Sequence, residues 1–254
     1  MGFKVVIPAR LGSTRLPRKV LREINGRPLV RYVWEAALSS GAEQVIVATD
    51  DAGVADAVRL FGAEVRMTAA THQSGTDRVH EVARAEGWSK DAIVVNLQGD
   101  EPLMPPALVR ETAQILEQDA AADISTVCHP LHDVADWLNP NVVKVALDRR
   151  GYALNFSRAP MPWKREPASN PDPAAHFPAG LAYRHVGLYG YRVGSLDQFS
   201  GLAPAELEQC EALEQLRALV HGFRIKVAIT ERPPPRGVDT EADLVAVSAL
   251  LTGR

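Results

Sequence analysis

A cluster of basic residues follows the first apolar run of the chain and has the composition of an anion-binding loop. Residues 5–7 are Val-Val-Ile, and the segment after them carries one glycine and four cations, namely Gly12, Arg10, Arg15, Arg18 and Lys19. Glycine lets a backbone approach an anion, while guanidinium and ammonium groups supply donors around it. The composition alone also fits a solvated basic loop, but its position after a predicted strand favours a phosphate site. Neither a dinucleotide fingerprint nor a P-loop motif is present.

The charge distribution supports a local anion site. Residues 1–31 contain eight basic residues and one acidic residue, whereas the rest of the chain contains 20 basic and 30 acidic residues. The isoelectric point is about 6.2, and a nucleic-acid-binding domain is usually basic throughout. The chain has two well-separated cysteines and no apolar stretch approaching 18 residues. We therefore predict a cytoplasmic protein with no nucleic acid, membrane or disulfide role.

The first half of the sequence predicts the scaffold that positions this loop. Continuous apolar runs at 5–7, 45–48 and 93–97 are typical of strands buried on both faces of a parallel sheet. Helical patterns over 28–41, 51–62 and 76–86 lie between and beside these runs. The alternation predicts an α/β fold with a doubly wound, mostly parallel sheet. Ligands bind such sheets at the carboxyl ends of the strands.

The second half changes character and predicts a smaller inserted lobe over about 130–200, within a single domain spanning 1–254. Residues 143–147 and 152–156 have the pattern of a hairpin. Residues 160–178 hold six of the 18 prolines, which indicates a long loop. The remaining predicted elements are a strand at 183–193, a helix at 207–220, a strand at 225–229 and a helix at 240–251.

Several sequence blocks resemble one enzyme family. Residues 8–19 resemble the signature loop of sugar nucleotidyltransferases. Narrower similarity, to the 3-deoxy-manno-octulosonate (KDO) cytidylyltransferases or CMP-KDO synthetases, lies in residues 72–78, 96–102, 141–145, 152–158, 184–191, 213–217 and 237–240. The blocks occur in the expected order over nearly the whole chain. The departures are Arg18, where a glycine is expected, and the enlarged proline-rich loop at 160–178.

The resemblance implies that CTP and KDO are converted to CMP-KDO and pyrophosphate for lipopolysaccharide biosynthesis. No Ser-His-Asp or Cys-His arrangement is evident, which suits phosphoryl-type chemistry based on positioning and charge neutralisation. The resemblance assigns Arg10 and Lys19 to the triphosphate, beside Pro8 and Ala9 of the same loop. Arg15 joins them or faces the sugar.

Two carboxylates are candidate ligands for Mg²⁺, which prefers one or two carboxylates together with phosphate oxygens and water. Asp100 follows the strand at 93–97. Asp239 precedes the last predicted helix, where an aspartate or threonine serves as an N-cap, and the spacing alone favours that capping role. The family resemblance favours the metal site over the cap.

Polar residues at the start of the third helix are candidate contacts to cytosine or ribose, namely Ser74, Gly75 and Arg78. A capping role explains Ser74 and Thr76 equally well from the sequence alone. The resemblance places Gln98 between nucleotide and sugar.

The candidate residues for the acid sugar lie in the second half of the chain. Strand alternation puts His185 and Tyr189 on one face, and Glu211 and Gln215 are four apart on a predicted helix. Arg158 suits the carboxylate of KDO, because a guanidinium can hold it bidentately. Without the resemblance, Glu211 would be interpreted as solvated surface and His185 as a core histidine.

The predicted partners are CTP and KDO as substrates, and the resemblance implies a homodimer. Two alternatives remain open. One is a cytidylyltransferase for another acid sugar, such as a sialic acid. The other is a nucleotide-sugar-binding glycosyltransferase or regulator on the same fold, which would bind CTP without releasing pyrophosphate.

Overall fold

A computed structural model describes residues 2–12, 16–165, 172–235 and 237–252. The strands, in chain order, are β1 (Phe3–Pro8), β2 (Glu23–Ile24), β3 (Arg27–Pro28), β4 (Gln44–Thr49), β5 (Glu64–Met67), β6 (Ile93–Asn96), β7 (Ile124–Pro130), β8 (Lys144–Leu147), β9 (Ala153–Ser157), β10 (Tyr183–Arg192) and β11 (Ile225–Ile229). The helices are α1 (Leu29–Ser39), α2 (Ala52–Arg59), α3 (Gly75–Ala85), α4 (Pro106–Gln118), α5 (Val134–Leu138), α6 (Val193–Ser200), α7 (Glu206–Glu211), α8 (Gln215–Val220) and α9 (Glu241–Thr252). Short 3₁₀ helices cover Lys19–Leu21 and Pro173–His176.

The chain forms two compact units. The first comprises Met1–Glu117, Leu188–Ser200 and Pro234–Arg254, and the second comprises Gln118–Gly187 and Gly201–Pro233. The predicted smaller lobe at about 130–200 therefore overlaps the second unit. The second unit also contains residues 118–129 and 201–233, which lie outside the predicted lobe, whereas residues 188–200 belong to the first unit.

The first unit contains a mostly parallel sheet, as the sequence predicts. Its strands run in the order β6-β1-β4-β5, all parallel, and residues 189–192 of β10 pair antiparallel with β6. The apolar runs that predicted these strands are fully buried at Val5, Val6 and Ile7. Burial of such runs is the main stabilising contribution to a parallel sheet of this kind.

Helices α1, α2 and α3 lie where the periodic patterns predict them, and each contacts the strands of the first unit. Asp51 caps α2 by accepting a hydrogen bond from the Val54 N–H at 2.9 Å. The first helix begins one residue later than predicted, because Pro28 has an extended backbone and occupies the N-cap position.

The second unit has its own core and contains further strand pairs. Strand β11 pairs in parallel with β7, and β8 pairs antiparallel with both β9 and the first part of β10, which confirms the predicted hairpin. Trp137 is completely buried and packs against Leu131, Val142 and Ala182. Phe177, from the proline-rich loop, packs against this cluster, with its ring centroid 5.7 Å from that of Trp137.

The prediction of one helix over 207–220 is wrong. The segment forms two short helices, α7 and α8, separated by Ala212 in the left-handed conformation with φ of 50°. Consequently Glu211 and Gln215 do not share a helix face. Alanine carries no local signal for such a break, since left-handed backbone is normally adopted by glycine or asparagine.

None of the helices in the described part of the chain has both the length and the apolar character needed to cross a membrane.

Candidate active site

A polar cavity of about 330 Å³ opens in the first unit at the carboxyl ends of β1 and β6. It is lined by Pro8, Arg10, Gly12, Lys19, Val20, Gln73, Ser74, Gly75, Arg78, Gln98, Gly99, Asp100 and Asp239. Most of the residues that the sequence analysis assigned to the nucleotide and the metal therefore meet at one place. The place is the one expected for a ligand of a doubly wound sheet.

Close backbone packing holds the loops after β1 and β6 together. The Gly99 N–H donates to the Pro8 carbonyl at 3.2 Å, and the Ala9 N–H donates to the Ala48 carbonyl at 2.8 Å. A Cβ atom at position 99 would lie 2.8 Å from the Pro8 oxygen, so this contact requires glycine. Ala9 is completely buried and supports the cavity from behind without lining it.

Lys19 joins the two candidate metal-binding carboxylates. Its Nζ atom lies 2.5 Å from Asp100 Oδ2 and 2.9 Å from Asp239 Oδ1. Burial by itself would lower the pKa of Lys19, but the charges and hydrogen bonds of the two carboxylates outweigh it and raise the pKa above 10.5. The ammonium is therefore charged at neutral pH. It lies between the two carboxylates and forms an ion pair with each of them.

Asp239 is not the N-cap of the last helix. Thr240 Oγ1 accepts a hydrogen bond from the Asp243 N–H at 3.2 Å, and the Asp243 carboxylate accepts from the Thr240 N–H at 2.8 Å. This reciprocal pair is a capping box. The Val238 N–H donates to the Asp100 carbonyl at 2.9 Å, which fixes Asp239 beside Asp100. The Asp239 side chain therefore takes no part in the cap and lines the cavity.

The amino terminus of α3 forms another wall of the cavity. Ser74 is the N-cap, with its hydroxyl accepting from the Asp77 N–H at 3.2 Å while Asp77 Oδ2 accepts from the Ser74 N–H at 3.1 Å. The capping interpretation of Ser74 is therefore confirmed. A helix amino terminus carries a partial positive charge and free N–H groups, both of which favour an anionic or polar ligand.

Arg78 and Gln98 are held in place by protein partners. Arg78 is 2% exposed and donates to Asp50 Oδ2 at 2.8 Å and to Thr68 Oγ1 at 2.7 Å. The Gln98 side-chain amide donates to Asn96 Oδ1 at 3.0 Å. These bonds fix the orientation of both side chains before any ligand enters, which lowers the entropic cost of binding.

Among the described residues that line the cavity, three were assigned no role from the sequence: Val20, Gln73 and Gly99. Gln73 and Gly99 each lie next to an assigned residue, in the blocks 72–78 and 96–102 that resemble the enzyme family. That resemblance is the signal from which they could have been found. Val20 follows Lys19 and offers no polar group. Arg15 lies outside the described residues.

Comparisons with known proteins show the family of this chain. A family model described as "Cytidylyltransferase" matches residues 4–226. The chain belongs to the cytidylyltransferase family. A 3-deoxy-manno-octulosonate cytidylyltransferase from Pseudomonas syringae pv. syringae is 53% identical over 254 residues, which cover 99% of this chain and 99% of the relative.

Two solved structures of cytidylyltransferases also match. One is a CMP:2-keto-3-deoxy-manno-octonic acid synthetase complexed with CTP, with a TM-score of 0.89, 39% identity and coverage of 100% of this chain and 99% of that chain. The other, from Leptospira borgpetersenii serovar Hardjo-bovis, has a TM-score of 0.63, 15% identity and coverage of 100% and 88%. The second shares the fold alone.

The second unit of this cytidylyltransferase brings Arg158 and Glu211 together. Glu211 accepts from the Ser157 hydroxyl at 2.6 Å and from the Arg158 N–H at 2.9 Å. Arg158 Nε donates to the Glu211 carbonyl at 2.6 Å, and one terminal nitrogen donates to the Pro140 carbonyl at 3.0 Å. The other terminal nitrogen of Arg158 donates to the Ala212 carbonyl at 3.4 Å, so three backbone carbonyls orient the guanidinium. The Ser157 hydroxyl and the Arg158 N–H together orient the Glu211 carboxylate.

The other predicted sugar-binding residues occupy separate positions. His185 Nε2 lies 2.9 Å from Thr126 Oγ1, and its ring packs edge-on against Phe156. Loss of solvent lowers the pKa of His185 to about 3, so the imidazole is neutral at neutral pH. Gln215 begins α8. Tyr189 belongs to the part of β10 in the first unit, where its ring stacks on Tyr191.

Proposed function

We propose that this protein transfers the cytidylyl group of CTP to KDO, forming CMP-KDO and pyrophosphate for lipopolysaccharide biosynthesis. The observation that carries the proposal is the cavity in which Lys19, Asp100 and Asp239 meet at the carboxyl ends of parallel strands. Full-length identity of 53% to a KDO cytidylyltransferase supports the same activity and the same acid sugar.

In the proposed reaction, the anomeric hydroxyl oxygen of KDO attacks the α-phosphorus of CTP. The bond from that phosphorus to the oxygen bridging to the β-phosphate breaks, pyrophosphate leaves, and the hydroxyl proton passes to solvent. Arg10 and Lys19 line the cavity and offset the negative charge that builds on the leaving pyrophosphate. Lys19 does so by exchanging its carboxylate partners for phosphate oxygens.

The donor set in the cavity fits Mg²⁺. Asp100 and Asp239 supply two hard oxygen ligands, and the described residues contain no group of three or more acidic, histidine or cysteine side chains that could form a complete protein cage. Two carboxylates with phosphate oxygens and water are what Mg²⁺ prefers. When bound, the metal would neutralise phosphate charge and polarise the α-phosphate. The test is addition of EDTA, which should abolish turnover, followed by recovery with excess Mg²⁺.

The nucleotide base and ribose are proposed to contact the amino terminus of α3, at Ser74 and Gly75, together with Arg78. Gln98 lines the same cavity and would lie between nucleotide and sugar. The acid sugar is proposed to contact Arg15, Arg158, His185, Tyr189, Glu211 and Gln215. The support for Arg158 is its oriented and partly exposed guanidinium. Each terminal nitrogen donates one N–H to a backbone carbonyl and has a second N–H with which it can bind a carboxylate.

The substrate is tested by pyrophosphate release from CTP with KDO, with a sialic acid, and with no sugar. We expect release with KDO at least about a hundredfold faster than with a sialic acid, since a site built around the wrong polar groups leaves buried donors unpaired. Faster release with the sialic acid would establish the alternative acid sugar. CTP binding without release in any arm would favour a regulator or a glycosyltransferase.

We further propose that the protein acts in the cytoplasm as a homodimer. The support for self-association is a pair of exposed apolar side chains that line one surface hollow of the second unit, Trp163 and Leu181, which are 51% and 65% exposed. Clustered apolar surface of this kind is characteristic of interfaces. Sedimentation equilibrium should give twice the chain mass of 27.6 kDa, and a single chain mass would refute the dimer.

A further inference from the structure

Lys144 is a buried cation in the second unit for which the proposed reaction has no direct use. It lies on β8, is completely buried, and belongs to the block 141–145 that the sequence analysis singled out. Burying an ammonium is costly unless its donors are satisfied. Desolvation, only partly offset by the charge of Glu211, lowers the pKa of Lys144 from 10.5 to about 8. The fold therefore retains a charged group here at a cost in free energy.

All three hydrogen-bonding directions of the ammonium end on backbone carbonyls. Lys144 Nζ donates to Val142 O at 2.6 Å, to Arg158 O at 2.6 Å and to Asn139 O at 3.0 Å. An ammonium has three donors and no acceptor, so its capacity is fully used. A single side chain thus connects the turn at 139–142 to the end of β9.

The three carbonyls belong to the segments that hold the Arg158 and Glu211 side chains. The turn contributes the Pro140 carbonyl that accepts from Arg158, at 3.0 Å. The main chain of Arg158 contributes the N–H that binds the Glu211 carboxylate, at 2.9 Å. Displacement of either segment would therefore move the guanidinium, the carboxylate or both.

We propose that Lys144 is a positioning residue for the acid sugar: it fixes the main chain at Arg158 and at 139–142, and so holds the Arg158 and Glu211 side chains in their binding geometry. This inference rests on the proposed function for the identity of the ligand. Lys144 makes no contact with substrate, because it is buried and its donors are occupied by protein carbonyls.

The test compares Lys144→Met with Lys226→Met in steady-state kinetics. Lys226 lies on β11 of the same unit and donates to the Arg150 carbonyl, away from the turn and from Arg158. We expect Lys144→Met to raise KM for KDO at least about tenfold, which is the effect of one lost charge-assisted hydrogen bond, and to leave KM for CTP within about twofold. Lys226→Met should change neither KM.

Hydrogen exchange gives a readout that needs no substrate. The Arg158 amide, which donates to Glu211, should exchange faster in Lys144→Met than in the wild type, and at the wild-type rate in Lys226→Met. If the wild type does not use KDO, the proposed function fails and exchange at Arg158 alone decides the positioning role. If Lys144→Met does not fold, Lys144→Gln, which retains two donors, replaces it with the same expected direction. An unchanged KM for KDO, a parallel rise in both KM values, or unchanged exchange at Arg158 would each overturn the proposal.

Discussion

Two neighbouring aspartates before and within α9 should separate catalysis from stability. Asp239 contacts Lys19 in the cavity, whereas Asp243, four residues later, belongs to the capping box of the helix. We expect Asp239→Asn to reduce turnover strongly with little loss of stability. Asp243→Ala should reduce stability and leave turnover nearly unchanged.

The magnitudes follow from the contacts of each carboxylate. Asp239→Asn preserves shape but removes one of the two charges around Lys19, and loss of one such electrostatic contribution at a reacting centre costs about 10²–10³ in kcat. The Asp239 side chain is 48% exposed, so its ion pair with Lys19 contributes at most about 1 kcal/mol to stability. Asp243→Ala removes the carboxylate that accepts from Thr240 N–H at 2.8 Å, Thr240 Oγ1 at 2.7 Å and Asp239 N–H at 3.1 Å. The bond from Val238 N–H to the Asp100 carbonyl, at 2.9 Å, still holds Asp239 beside Asp100 in this variant. Losing a cap of this kind costs about 1 kcal/mol, or about 2–4 °C in Tm.

The assay measures both quantities on the same preparations. Initial rates of pyrophosphate release at saturating CTP and KDO give kcat, and thermal unfolding followed by circular dichroism gives Tm. The reasoning is refuted if Asp239→Asn retains near-normal turnover, or if Asp243→Ala loses as much turnover as Asp239→Asn does.

Three further predictions concern the backbone and the pH dependence. Arg18 has φ of 56°, so Arg18→Gly should stabilise the fold by about 0.5–1 kcal/mol in chemical denaturation, and Arg18→Ala should give no gain. Gly99→Ala should destabilise by about 1–3 kcal/mol and weaken CTP binding in calorimetry, because its Cβ would lie 2.8 Å from Pro8 O. The pKa of His185 is about 3 in the folded chain and 6.5 for a solvated imidazole. Below pH 6.5 the unfolded chain therefore binds a proton that the folded chain does not bind. Between pH 6.5 and 3, stability should then fall more steeply in the wild type than in His185→Gln, by up to ~1.4 kcal/mol per pH unit.

The scaffold of the first unit could be predicted because its signals are local. Continuous apolar runs indicate buried parallel strands, and the cavity follows from the rule that such strands present ligands at their carboxyl ends. Lys19 and Asp100 could be predicted to lie at the same edge of the sheet, because they follow β1 and β6 and these strands are parallel neighbours. The glycine expected at Arg18 is explained by its left-handed backbone, which Arg18 adopts at a cost.

The remaining features depend on contacts between residues far apart in the sequence. Nothing near Ala212 predicts a left-handed residue that ends α7, and the sequence cannot show that Thr240 rather than Asp239 caps α9. The burial of Lys144 likewise arises from carbonyls at 139, 142 and 158, which only the folded hairpin brings together. Side-chain roles of this type follow from tertiary packing and not from periodicity.

The central claim is that the cavity of the first unit catalyses cytidylyl transfer with cleavage between the α- and β-phosphates. The most direct measurement follows CTP labelled separately at the α- and γ-phosphates in the presence of KDO and Mg²⁺. We expect the α-label in a CMP-sugar and the γ-label in pyrophosphate, with both products lost in Asp100→Asn. Release of the γ-label as inorganic phosphate, or products that persist at the wild-type rate in Asp100→Asn, would contradict it.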